Sequence, residues 1–150
     1  MKGNPKVDAA VLILRVGLGL ILMYFGAQKL LGVFGGPGPQ GTIEMFRKGM
    51  GIPAPLTVLA MCGEFFGGLG MIVGLLTPVA AFGATCTMGV ATYINWKTPG
   101  IMTDLMNGKF EAAPTAFFAF SLMVGSLAVM LIGGGSYSLD AKLFQRRGRR

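Results

Sequence analysis

Apolar residues fill four long stretches of the chain, separated by segments in which glycine, proline and charge concentrate. At about 1.5 Å of rise per residue, a hydrocarbon layer of about 30 Å needs roughly 20 mostly apolar residues in a helix. The pattern therefore predicts membrane spans over residues 8–34, 56–76, 78–96 and 114–132. Between the first two, Gly32 to Gly41 carries too many glycines and prolines to continue a helix and reads as a loop. Thr42 to Met50 then mixes Ile43, Met45, Phe46 and Met50 with Glu44, Arg47 and Lys48. Those residues fit a short amphipathic helix at the interface, lidding the bundle, or a plain solvated loop. Leu75-Leu76-Thr77-Pro78 is a minimal turn, with Pro78 suited to the first turn of the next helix. Tyr93 and Trp96 close the third span, where aromatic side chains favour the headgroup level. Lys97 to Ala112 reads as an exposed loop with Asp104, Lys109 and Glu111 solvated, and Gly133 to Gly135 ends the fourth span. The expected fold is an all-α, integral membrane four-helix bundle, residues 1–150 in one domain, with a short interfacial helix between spans 1 and 2.

Composition agrees with the pattern. The 150 residues are 53% hydrophobic and 13% charged, with a mean hydropathy of +0.64, a balance that a water-exposed globular surface does not tolerate. A secretory signal is the competing reading of the first stretch, but Arg15 interrupts its apolar core, no A-x-A pattern follows, and the stretch is too long. The formal charge of +7 is spread over tails and loops, with only Arg146, Arg147, Arg149 and Arg150 clustered. Such a tail reports topology and anionic lipid rather than nucleic acid. Seven basic residues lie on the side of the termini (Lys2, Lys6, Lys142 and the four arginines) and four in the longer loops (Arg47, Lys48, Lys97, Lys109), so the positive-inside rule puts both termini in the cytoplasm.

Chemistry concentrates in a few positions. Glu64 lies inside the second apolar run, where a charge costs about 2.5–3.5 kcal/mol on insertion scales and is paired, protonated or lining a cavity. Arg15 and Lys29 are fourteen residues apart, which at about 100° per residue returns them to within about 40° of one helix face. Depths counted from the outer helix ends near Phe34 and Pro55 for Lys29 and Glu64, and from the cytoplasmic end for Arg15, place Glu64 between the two cations, giving an expected cluster of Arg15, Lys29 and Glu64 with Tyr24 and Gln28 as hydrogen-bond partners. A structural ion pair fixing helix register is the alternative to a functional site. Asp140 is expected to anchor the returning C-terminus near Lys142 or Arg15. Gly17, Gly19 and Gly26 in the first span, and the pairs Gly63/Gly67 and Gly70/Gly74 in the second, favour close helix contact. Cys62 and Cys86 form no C-x-x-C, and Cys62 points about 200° away from Glu64. With no histidine in the chain, a metal or haem site is not expected.

Taken in order, Arg15-x-Gly17-x-Gly19 with Gly26-x-x-Lys29, Glu64 with Gly68 and Gly74-Leu75-Leu76-Thr77, and Gly135-x-x-Ser138-Leu139-Asp140 resemble the DoxX family of small four-helix membrane proteins. The resemblance runs over nearly the whole chain and extends to the DoxD subunit of thiosulfate:quinone oxidoreductases. It implies a multi-pass cell-membrane protein that serves as an oxidoreductase component, or as a membrane anchor for soluble enzymes of thiol and oxidative-stress systems. On that reading Glu64 and the cations Arg15 and Lys29 bind a quinone carbonyl or relay a proton, with Tyr24 and Gln28 beside the quinone and a soluble or membrane redox partner supplying electrons. The small-residue stripes also permit a homo-oligomer, and a small-solute carrier remains a third reading.

Overall fold

In a computed structural model, which describes residues 4–97, 106 and 113–147, the chain folds as an all-α bundle. Its helices are α1 (Pro5–Leu31), α2 (Gly38–Met50), α3 (Ala54–Val73), α4 (Thr77–Trp96), α5 (Ala113–Ile132) and α6 (Leu139–Arg147). Asn4 caps α1 by accepting from the Lys6 amide at 3.1 Å, with Pro5 in the first turn. Gly32, Gly51 and Gly74 end α1, α2 and α3 with φ of 68°, 68° and 74°, which a residue without Cβ adopts at little cost. Most of the connection between Lys97 and α5, including Asp104, Lys109 and Glu111, lies outside the described residues.

α1, α3 and α5 are long and apolar enough to cross a membrane. α4 matches α3 in length and carries no charge, but its threonines and Asn95 dilute its apolarity. These groups are satisfied within the helix: Thr85, Thr87 and Thr92 donate to carbonyls four residues back at 2.7, 2.9 and 2.7 Å, and the Asn95 amide does so at 2.7 Å. These four donors are thereby met within the helix, the buried Thr77 hydroxyl has no partner among the described residues, and α4 forms the fourth wall of the bundle. The packed interior consists of Leu18, Leu22, Met71, Ala81, Ala84, Met88, Leu122 and Val129.

α3 is gripped on two sides through its glycines. A Cβ on Gly68 would stand 2.6 Å from the Met23 nitrogen, and one on Gly26 2.5 Å from the Phe65 nitrogen, so α1 and α3 touch backbone to backbone. Gly67 meets the Ala80 carbonyl of α4, and Gly63 the Thr87 hydroxyl. Gly17 departs from the expectation: nothing lies within 4 Å of its missing side chain. α2 also differs from the sequence reading. It begins at Gly38, inside the segment read as loop, because Pro39 occupies the first turn, where an amide hydrogen is not needed.

Two ends of one helix pair

The glycine contacts set the register of the antiparallel α1–α3 pair. Gly26 lies against Phe65, and Gly19 against Gly68 and Ile72, so Glu64 is level with about residue 27 of α1. Lys29 meets it there. Its ammonium donates to both carboxylate oxygens of Glu64, at 2.6 and 2.7 Å. The Glu64 side chain is 4% exposed and that of Lys29 25%. Among the described residues the other ion pair is Lys48–Glu44, at 3.3 Å on the outer face of α2. The same register starts α3 about six residues, or ~9 Å, beyond the end of α1. α2 packs against both helices at this step. From α2, Phe46 sets its ring 6.0 Å from the Lys29 nitrogen, and the Thr42 hydroxyl reaches the Lys29 carbonyl at 3.5 Å.

Arg15 does not join this pair, which corrects the expected three-membered cluster. It faces α3 as the angular argument requires, but lies level with the far end of that helix, about 18 Å along the axis from Glu64. Its Nη1 donates to the Met71 and Ile72 carbonyls at 2.9 and 3.2 Å, and its Nη2 to the Tyr137 carbonyl at 2.6 Å. The first two belong to the last turn of α3, whose carbonyls have no partner in their own helix and carry the negative end of its dipole. Arg15 is 1% exposed, and its Nε makes no hydrogen bond among the described residues.

Tyr24 and Gln28 sit on a third face. The Gln28 amide donates to the Tyr24 hydroxyl at 3.2 Å and to the Phe34 carbonyl at 3.5 Å, and the Tyr24 ring stacks on Phe34 with centroids 5.1 Å apart. Neither residue hydrogen-bonds to Glu64 or Lys29. Phe34 holds this stack with a φ of 55°, a left-handed conformation that is strained for a residue with a side chain.

Asp140 completes what Arg15 begins. Its Oδ1 accepts from the Leu76 amide at 2.7 Å and its Oδ2 from the Thr77 amide at 2.8 Å, so a residue 63 positions downstream caps the start of α4. Leu76, at the N-cap of α4, has no side chain able to do this. The Asp140 amide in turn donates to the Gly74 carbonyl at 2.9 Å. Burial works against ionisation of Asp140, but the bonds from Thr77 and Leu76 and the nearby Arg15 charge outweigh it, holding the carboxyl below its ordinary range. Ser138 caps α6 by accepting from the Ala141 amide at 3.1 Å. Asp8, which the sequence reading passed over, accepts from the Ser136 amide and hydroxyl at 3.1 and 2.7 Å. The signal for Asp140 was present: a tight turn opening on leucine demands an outside acceptor, and few carboxylates exist on that side of the bundle. Gly74, between the Arg15 guanidinium and Ser138, leaves no space for a side chain.

Cys62 and Cys86 are free thiols, Cys62 partly buried and Cys86 exposed. Among the described residues no group of three or more metal-ligating side chains comes together.

The chain is 27% identical over 140 residues to the inner membrane protein YqjF of Escherichia coli (strain K12), covering 91% of this chain and 93% of that one. No solved structure matches it. The DoxX family model matches residues 10–96, a stretch holding Arg15, Lys29, Glu64 and the Gly74–Thr77 turn. With its multi-pass helical bundle and that match over more than half its length, the chain belongs to the DoxX family.

Proposed function

We propose that this protein is the membrane component of a quinone- or thiol-linked redox system of the inner membrane, with both termini cytoplasmic, and that Lys29 and Glu64 form its substrate-facing site. One observation carries the reading. A lysine ammonium has three N–H donors, and Lys29 directs two at Glu64 while its side chain stays 25% exposed. The third donor is available to an acceptor such as a quinone carbonyl. Reduction of a quinone to its quinol takes two electrons and two protons, and oxidation of a partner's dithiol to a disulfide releases the same number of each. In this scheme Lys29 binds the carbonyl and donates a proton to it, and Glu64 holds the ammonium and accepts the protons relayed in to replace those transferred. Tyr24 and Gln28, on the neighbouring face of α1, flank the quinone ring. Arg15 is a structural residue at the opposite end.

A second reading, a non-catalytic anchor for a redox enzyme, draws support from the way Arg15, Asp8 and Asp140 are all engaged by the protein itself. The experiment is purification of wild type, Glu64→Gln and Lys29→Met in mild detergent, with quinone extraction and mass spectrometry of partners. Quinone present in wild type and lost from both variants, at unchanged helix content, is the expected result. Absence of quinone from all three, with a redox enzyme retained equally by each, overturns the site and leaves the anchor.

A further inference from the structure

We propose that α6 is a docking helix for the anionic headgroups of the protein's own bilayer, fastened to the bundle at its first turn and held along its length by lipid. The fastening is explicit. Arg15 grips the Tyr137 carbonyl, Asp8 holds Ser136, and Asp140 bonds to the Gly74, Leu76 and Thr77 backbone. These contacts place the start of α6 level with the end of α3 and the start of α4, at the rim of the bundle. Beyond that turn the described side chains point outward. Tyr137 is 55% exposed, Leu139 38% and Leu143 54%, and Lys142 is exposed beside them. Leucines at i and i+4 next to a lysine suit the boundary between acyl chains and headgroups, and a tyrosine belongs at the same depth.

Charge selects the occupant. From Leu139 onward the sequence carries Lys142, Arg146, Arg147, Arg149 and Arg150 against a single acid, Asp140. That acid is occupied by the Leu76 and Thr77 amides, and Asp8, the other carboxylate at this rim, is occupied by Ser136. Neither carboxylate forms an ion pair with a tail cation among the described residues. A dense, laterally continuous negative surface within reach of a membrane-embedded helix is provided by anionic lipid. Each basic residue contributes about a fivefold gain in such binding.

The test uses the full chain in nanodiscs of phosphatidylcholine alone or mixed with phosphatidylglycerol, with amide hydrogen exchange read over residues 139–147. Exchange beyond Ala141 is expected to be several-fold slower in the anionic discs. That slowing should vanish in about 1 M salt, where screening acts within ~3 Å, and in the K142Q/R146Q/R147Q variant. The amides of Leu76, Thr77 and Asp140 should stay protected throughout, showing that the fastening is intact. Equal exchange in the two membranes overturns the proposal, as does slowing that survives both salt and the triple substitution, which would assign α6 to a protein partner or to apolar insertion alone. Neither result touches the Lys29–Glu64 site.

Discussion

Replacing Asp140 by alanine isolates the contribution of a cap supplied from outside its own helix. The carboxylate accepts from two amides, at 2.7 and 2.8 Å, and they differ in surroundings. Leu76 is exposed, so its amide recovers water when the carboxylate goes, whereas Thr77 is fully buried and its amide recovers nothing. Loss of an N-cap costs about 0.5–2 kcal/mol, and a stranded buried donor about 1–3 kcal/mol. The two descriptions overlap here, giving about 2–3 kcal/mol for Asp140→Ala. For a chain of this length 1 kcal/mol moves the melting temperature by about 2–4 °C, so the variant should melt about 5–10 °C lower in detergent, followed by circular dichroism. Asp140→Asn keeps one acceptor and should lose about half as much. The pH dependence has a definite sign. Because the folded carboxyl is held below its ordinary range, the folded state binds fewer protons than the unfolded one. The stabilisation is complete above the unfolded value and is lost as pH falls through the lower, folded one. Asp140→Asn should therefore flatten this acid limb of the stability curve. An alanine variant melting with the wild type, or an asparagine variant with an unaltered acid limb, would refute the capping argument.

At Arg15, lysine keeps the charge but not the fork that spans α3 and the Tyr137 carbonyl; Arg15→Lys should cost about 1–3 kcal/mol, read as a lowered melting temperature, and wild-type stability in this variant would contradict the double contact. Gly68→Ala places a methyl 2.6 Å from the Met23 backbone and should cost about 1–3 kcal/mol in the same assay, while Gly17→Ala meets nothing and should be neutral or slightly stabilising. Equal effects at the two glycines would mean that backbone proximity does not govern the α1–α3 contact.

Hydrophobic runs and helix periodicity carried the positions of the four long helices, the all-α class, the grip of the α3 glycines and the choice of α1 as the source of a partner for Glu64. Periodicity reports angle and says nothing of register. Arg15 and Lys29 do share the α3 side of α1, but counting Lys29 from the outer end of α1 and Arg15 from the cytoplasmic end hides that fourteen residues of helix hold them about 21 Å apart. The register set by Gly19 and Gly26 against Gly68 and Phe65 leaves only Lys29 within reach of Glu64. The same limit explains α2. Counting Gly and Pro between residues 32 and 41 described a loop, whereas Pro39 is a helix starter once Gly38 takes a φ of 68°. The Asp140 cap was legible from the turn rather than from the neighbours of Asp140: Leu76 opens α4 without a side-chain acceptor, and the carboxylate that its amides require stands 63 residues beyond Thr77.

That separation along the chain orders the protein's synthesis. The turn between α3 and α4 is made when about half of the 150-residue chain has been translated, yet the acceptor for its amides arrives only after α5 has been built. Until then the Leu76 and Thr77 amides and the Gly74 carbonyl must be satisfied by water or headgroups at the membrane surface. Insertion can proceed span by span, but the bundle is sealed by its final segment, so a ribosome that stalls before Ser136 leaves an inserted chain with an open rim.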